Sequence, residues 1–303
     1  MATVQLLSST DMLNGEPWQG QVTSASGSQF TAGTPPVAIT FTGSFALSSA
    51  GLSGIVDGAV QTRNDVQQLL ISGLAEDAAA VQGVLAPAQS RPELYAWLLR
   101  ADDTVTGSMQ PDLLAGFRGT DTLDGGAGID GAFYSGERAG YQATKTGGAW
   151  QVVDHSGLDG VDTLVNVERL SFEDVSVALD LEGNAGTVAR ILGAVFGRHA
   201  VASTELAGIG LRLADTGTTA EALVQLALDH RLGPWHTTDD VVNLLYTNVT
   251  GTPPPQQQLA VYRGWLDSGL YSEASLGLYA AQTGENEAGI GLAGLAQTGL
   301  AFV

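Results

Sequence analysis

Four aspartates, Asp103, Asp112, Asp121 and Asp130, stand nine residues apart, three times running. Two positions after each comes an apolar residue: Val105, Leu114, Leu123 and Ala132. Glycines crowd the later members, at Gly116, Gly119, Gly125, Gly126 and Gly128, and residues 125–130 read GGAGID. A nonapeptide of this kind makes one glycine-rich turn and one very short strand, and two of them complete a coil. Residues eighteen apart then stack, Asp103 on Asp121 and Asp112 on Asp130, with the apolar residue of each unit pointing inward. Carboxylates and turn carbonyls converge between coils, the hard-oxygen environment in which Ca²⁺ takes roughly six to eight ligands. Glycine is needed because the turn uses backbone angles that other residues avoid. The cofactor expected here is therefore Ca²⁺. Its expected ligands are the Asp121 and Asp130 side chains with turn carbonyls near Gly119, Gly126 and Gly128. Asp103 and Asp112 extend the set, and Asp162 joins it from a second Gly-Asp segment. Ala101 and Gln110 stand where Gly119 and Gly128 stand in the later units, so a few ions are expected and not a long array.

Other chemistry is hard to assemble. The chain contains neither an HExxH helix nor a GxSxG elbow. His230 and His236 lie near Asp229, Asp239 and Asp240, a spacing that a polar inter-helix loop explains. Asp239 and Asp240 read as helix N-terminal residues, and Glu285 and Glu287 as a solvated turn. The five tryptophans, Trp18, Trp97, Trp150, Trp235 and Trp265, read as core or interface anchors. No catalytic residue is assigned, and the chain is expected not to be an enzyme.

The elements around the ladder follow from texture. The first 85 or so residues carry short β-branched and aromatic runs, such as Val37–Ala46, between turn residues. Pro92–Arg100 has the spacing of a short helix. Strand-like runs return at Trp150–Val153, Thr163–Val167 and Val175–Leu181. From Gly186 the pattern turns helical, through Val188, Ile191, Leu192, Val195 and Phe196. Further helices are predicted over Thr218–Asp229, with Thr218 and Glu221 as a capping box, and over Thr238–Thr247, Gln256–Leu266 and Ser272–Ala281, four to six in all. Thr252–Pro255 is a stiff connector. The tail from Gly289 is apolar and glycine-rich.

Composition narrows the partners. Of 303 residues, 44% are apolar and 15% charged, ample for packed cores. The net charge is −20, and Lys145 is the single lysine. No basic footprint exists to neutralise phosphates, so nucleic acid is excluded as a partner, and docking on an anionic membrane is disfavoured. No apolar run reaches the ~18 residues of a membrane span. With no cysteine, thiolate metal sites and disulfides are absent. The opening MATVQLLSSTDMLNG lacks the basic and apolar regions of a cleavable signal.

The repeats resemble those of RTX, or haemolysin-type calcium-binding repeat, secreted proteins. The resemblance continues through residues 157–172, GLDGVDTLVNVERLSF, which look like the DGxDTLxNVExLxF segment that often follows such repeats. The helical part, with Val195-Phe196-Gly197-Arg198, Tyr246-Thr247-Asn248-Val249, Trp265 and Gly269, resembles a helical domain appended to many type I-secreted and surface-layer-type proteins. It covers about residues 100–303. The resemblance implies export from a Gram-negative cell by a type I secretion apparatus through an uncleaved C-terminal signal. It also implies loading with Ca²⁺ outside the cell, where the ion is abundant enough to fill modest sites.

The expected fold is α+β and multidomain. Residues 1–100 would form a β-rich domain ending in a short helix, 101–182 a short parallel β-roll with calcium and its following strands, and 183–303 a helical domain with a C-terminal secretion tail. Only ~100 residues precede the repeats, little room for a separate effector region, which points to mechanical work. The expected function is a secreted calcium-binding structural protein that self-assembles at the cell surface as a layer, filament or matrix fibre. Its partner is then itself, through coil edges left open at both ends of the roll. The alternative is a monomeric secreted adhesin or carbohydrate-binding module using the N-terminal β domain, and a third possibility is a hydrolase with an unrecognised site.

Overall fold

The computed structural model describes the whole chain except residues 14–17, 19, 50 and 86–89. It is α+β and divides into two compact units, Met1–Asp174 and Val175–Val303.

The first unit is organised by an eleven-stranded mixed sheet. Its antiparallel part is a meander built on the long strands Val37–Ser48, Gly51–Arg63 and Val66–Asp77. Phe30 and Phe41 stack across neighbouring strands at 4.8 Å and are fully buried with Ile39, Leu69 and Ile71. The run Ala78–Leu85, which the sequence reads as part of the β region, is a helix. Alanine favours the helix, and Asp77 holds its start by accepting the Ala80 N–H at 2.9 Å. A second helix, Arg91–Leu98, follows.

The parallel part joins segments far apart in sequence. Thr104–Thr106 pairs with Thr122–Asp124 in the register Thr104↔Thr122, an offset of eighteen residues. Leu113–Leu114 pairs with Gly131–Phe133 at the same offset. Val161–Val165 continues the first stack on Thr122–Asp124, and Arg169–Ser171 continues the second on Gly131–Phe133. At the opposite end Thr3–Leu6 pairs in parallel with Thr104–Thr106, and Asp11 bridges Leu113. Four rungs result, and the two outer ones come from the N-terminus and from the segment after the repeats.

Two expectations change accordingly. The boundary drawn at residues 100/101 falls inside one unit, because residues 3–6 are a rung of the repeat stack. The first stack has no open coil edge either. Thr3–Leu6 covers one side and continues into the antiparallel strand 66–77, while Val161–Val165 covers the other and continues into the hairpin Tyr141–Thr146/Ala149–Asp154. The free edges of the sheet, among the described residues, are Val22–Ala25 and Tyr141–Thr146.

The second unit contains eight α-helices and a short antiparallel pair of strands, Ser176–Ala178 with Leu300–Phe302. The caps differ in detail from those predicted. Thr219, not Thr218, caps helix Ala220–Leu232, and helix Thr238–Thr250 opens with a capping box between Thr237 and Asp240. Asn248 donates to the carbonyls of Ala194 and Val195 at 3.0 and 2.8 Å, serving backbone acceptors of the π-helical turn Leu192–Phe196. Glu285 and Glu287 belong to the helix Gly284–Gly289, and Glu287 accepts from Arg190 at 2.7 Å. Trp18 and Trp150 are core residues, whereas Trp235 is 92% exposed. The tail is folded: it forms the helix Leu292–Thr298, and its Leu300 is fully buried.

Candidate metal centre

The stacked rungs put apolar residues in register inside the unit. Val4, Val105, Leu123 and Leu164 follow one another across the first stack, and Leu114, Ala132 and Leu170 across the second. All seven are buried. Each burial removes a side chain from water at a gain of roughly 25 cal/mol per Å² of apolar surface. This packing fixes where the residue two positions before each apolar one must sit.

That residue is Asp103, Asp121 and Asp162 in the first stack and Asp112, Asp130 and Glu168 in the second. Asp121 Oδ1 accepts the Asp103 N–H at 2.7 Å, and Asp162 Oδ1 accepts the Asp121 N–H at 3.1 Å. The Ala2 N–H closes this ladder onto Asp103. On the second stack Asp112 accepts from Thr10 at 2.6 Å, Asp130 from Asp112 at 2.8 Å, and Glu168 from Asp130 at 2.9 Å. The nine-residue spacing thus separates two ladders. Asp103, Asp121 and Asp162 come together in one, Asp112, Asp130 and Glu168 in the other.

Each ladder aspartate spends one oxygen on the neighbouring rung. The second oxygens of Asp103, Asp121 and Asp130 are buried and accept no hydrogen bond. Asp112 differs, because its Oδ2 accepts the Ser108 N–H at 2.6 Å. A buried carboxylate oxygen without a partner is costly, and the titration of these groups reflects it. Burial, then the neighbouring Asp162 charge, pushes the Asp121 carboxyl up to about 8. Burial, offset by the Asp112 N–H and reinforced by Glu168, raises Asp130 to about 6. Burial raises Asp162 to about 7 and also raises Asp103.

Glycine borders the unpartnered oxygens. A Cβ built on Gly116 would lie 2.3 Å from Asp121 Oδ2, and one on Gly125 would lie 2.8 Å from Asp130 Oδ2. Gly126 has φ +86, and its Cβ would fall 2.5 Å from the carbonyl oxygen of Ser108, in the turn of the neighbouring rung. Gly119 and Gly128 also have positive φ and lie against the turn eighteen residues earlier. The Gly119 carbonyl already accepts the Val161 N–H at 3.0 Å. Sequence reasoning missed Glu168 as a ladder member and Gly116 and Gly125 as the positions facing the open oxygens. Glu168 was visible as the acidic residue before a short strand, in the same place as the repeat aspartates.

Among the described residues no three acidic or histidine side chains cluster closely enough to hold a metal by side chains alone. An ion here would draw part of its shell from turn carbonyls and water. The histidine region has a structural role. His236 is hydrogen-bonded to the Gly233 carbonyl at 2.6 Å and to Glu273 at 2.9 Å, and the Gly233 carbonyl, then Glu273, raises its pKa.

No family model matches this chain, and no curated protein matches it. Among solved structures, the extracellular lipase LipA from Serratia marcescens aligns at 18% identity over 28% of this chain, with a TM-score of 0.17. The aligned part spans only 16% of the lipase chain, and a likeness this slight carries no argument about activity. Among the described residues no helix is long and apolar enough to cross a membrane.

Proposed function

We propose that the chain is a secreted, calcium-binding structural protein whose repeats form a short parallel β-roll, and that it self-assembles at the cell surface. The observation that carries the calcium reading is the set of buried, unpartnered oxygens on Asp103, Asp121 and Asp130 beside glycine turns. A divalent cation supplies the positive charge that such oxygens lack, and Ca²⁺ accepts the mixed carboxylate, carbonyl and water shell that stacked turns can offer. Asp121 and Asp130 hold the ion through their free oxygens, Asp103 and Asp162 extend the first ladder, and glycine keeps the turns close. Asp112 serves as a rung-to-rung acceptor.

Assembly cannot use open coil edges in the first stack, since those are paired. The sheet edges Val22–Ala25 and Tyr141–Thr146 offer another route, because pairing one edge with the other in a second copy would continue the sheet without closing it. A net charge of −20 opposes this until cations bind. Light scattering during a Ca²⁺ titration tests the proposal. Growth of large species in millimolar Ca²⁺ is the expected result. A monomer throughout would overturn self-assembly and favour the adhesin.

A further inference from the structure

The second unit contains a cleft that neither the calcium ladder nor the sheet uses. It has a volume of about 310 Å³, at the lower end of the ~300–1,000 Å³ typical of small-molecule sites. Helix Thr238–Thr250 contributes Tyr246, helix Gln256–Asp267 contributes Gln258 and Tyr262, helix Glu273–Ala281 contributes Tyr279, and helix Gly284–Gly289 contributes Glu285. Four helices therefore converge on one point, each bringing a side chain with an aromatic face or a hydrogen-bonding tip. Side chains mounted on helices hold position better than those on loops.

The rings brace one another. Tyr246 and Tyr262 lie 6.3 Å apart, Tyr262 meets Trp265 edge-on at 4.9 Å, and Trp265 meets Tyr279 edge-on at 6.1 Å. Behind them Trp265 stacks on Tyr271 at 5.2 Å. Tyr279 nevertheless remains 46% exposed, a large apolar surface left in water at the mouth of a cleft. Tyr246, Gln258, Tyr262, Tyr279 and Glu285 all line this one cleft.

From this cleft we infer that the helical unit binds a neutral saccharide of one or two rings. Aromatic faces receive the apolar C–H face of a sugar, and phenol, carboxamide and carboxylate groups bond its hydroxyls. Among the described residues no lysine, arginine or histidine lines the cleft, while Glu285 does, which disfavours an anionic ligand. A quaternary ammonium group would need rings standing apart around it, whereas Tyr246 and Tyr262 pack against each other. The site is independent of the calcium reading.

The test uses the full chain in millimolar Ca²⁺ and, as probes, the methyl glycosides of glucose, galactose, mannose and N-acetylglucosamine, with choline as the cationic competitor. Saturation-transfer NMR should show at least one glycoside bound. Tyr279→Ala should weaken it by about tenfold or more, as loss of an exposed aromatic anchor does. Glu285→Gln should weaken it by roughly tenfold through loss of a charged acceptor. Tyr279→Phe retains the ring and should retain most of the affinity, and thermal melts should match wild type. No glycoside binding up to about 50 mM, binding indifferent to both Tyr279→Ala and Glu285→Gln, or displacement by choline would each overturn the inference.

Discussion

The backbone N–H of Asp103 donates to Oδ1 of Asp121 at 2.7 Å, across the eighteen residues that separate two rungs of the stack. The same contact leaves Asp121 Oδ2 buried without a partner. One carboxylate thus ties two coils together with one oxygen and presents the other to a closed, glycine-lined turn.

Asp121→Asn keeps an oxygen for the Asp103 N–H and removes the buried charge. Without Ca²⁺ at pH 8 it should be more stable than wild type by about 1 kcal/mol, because an unpaired buried charge is lost. With Ca²⁺ it should gain much less than wild type. Urea melts with and without chelator check both signs. Lower stability of the variant in chelator would contradict the unpartnered-oxygen account.

The calcium-free protein should lose stability as pH rises. Asp121, Asp162 and Asp130 have folded pKa values raised to about 8, 7 and 6, from an ordinary value of 3.8. Between the ordinary and raised values the folded state binds more protons than the unfolded one, so stability is fully present below about pH 4 and is lost towards pH 8. Saturating Ca²⁺ binds the deprotonated ligands and should flatten or reverse the slope. Melting temperatures from pH 4 to 8, with chelator and with Ca²⁺, read this directly.

Gly126→Ala should destabilise the first unit. Its φ of +86 and the 2.5 Å approach to the Ser108 carbonyl leave no room for a Cβ, and the backbone conformation alone costs about 1–3 kcal/mol. Gly264→Ala is the control. It lies inside helix Gln256–Asp267 with nothing within 4 Å of an added Cβ, and it should stabilise by roughly 0.5–1 kcal/mol. Denaturant midpoints of the two variants should move in opposite directions.

The tail serves folding as well as any export role. Leu300 is fully buried, its strand pairs with Ser176–Ala178, and the Val303 N–H donates to Thr204 at 3.1 Å. Leu300→Ala should cost about 2–5 kcal/mol, seen as a lower melting midpoint of the helical unit. Deletion of Leu292–Val303 would therefore report on folding and export together. Export is better tested by substitutions at exposed tail positions, which should block secretion without shifting the midpoint.

The ladder was legible because Asp103, Asp112, Asp121 and Asp130 repeat at a fixed interval with Val105, Leu114, Leu123 and Ala132 in phase. Stacking at eighteen residues follows from that period once two units make one coil. The outer rungs were not legible. Val4 and Asp11 lie about a hundred residues from their partners and carry no Gly-Asp signature, so only the tertiary pairing reveals them. The closing rung was obscured because the hairpin Tyr141–Thr146/Ala149–Asp154 interrupts the repeat, moving the partner of Leu123 to Leu164. In the helical unit the helices near 188–196, 220–232, 238–250, 256–267 and 273–281 were readable from their apolar spacing, whereas Thr204–Asp215 was not, and the unit has eight helices in place of the four to six expected. The short helices Gly284–Gly289 and Leu292–Thr298 were not readable either, because runs this short and glycine-rich are held by packing and not by propensity.

Calcium titration calorimetry on the full chain, wild type against Asp121→Asn/Asp130→Asn, tests the central claim most directly. The wild type should bind Ca²⁺ saturably in the micromolar to millimolar range, with a rise in melting temperature. At about 100-fold excess over the dissociation constant each site adds ~2.7 kcal/mol. The double variant should bind fewer ions and lose most of that rise. Absence of binding by the wild type up to several millimolar Ca²⁺, or unchanged stoichiometry and affinity in the double variant, would contradict it.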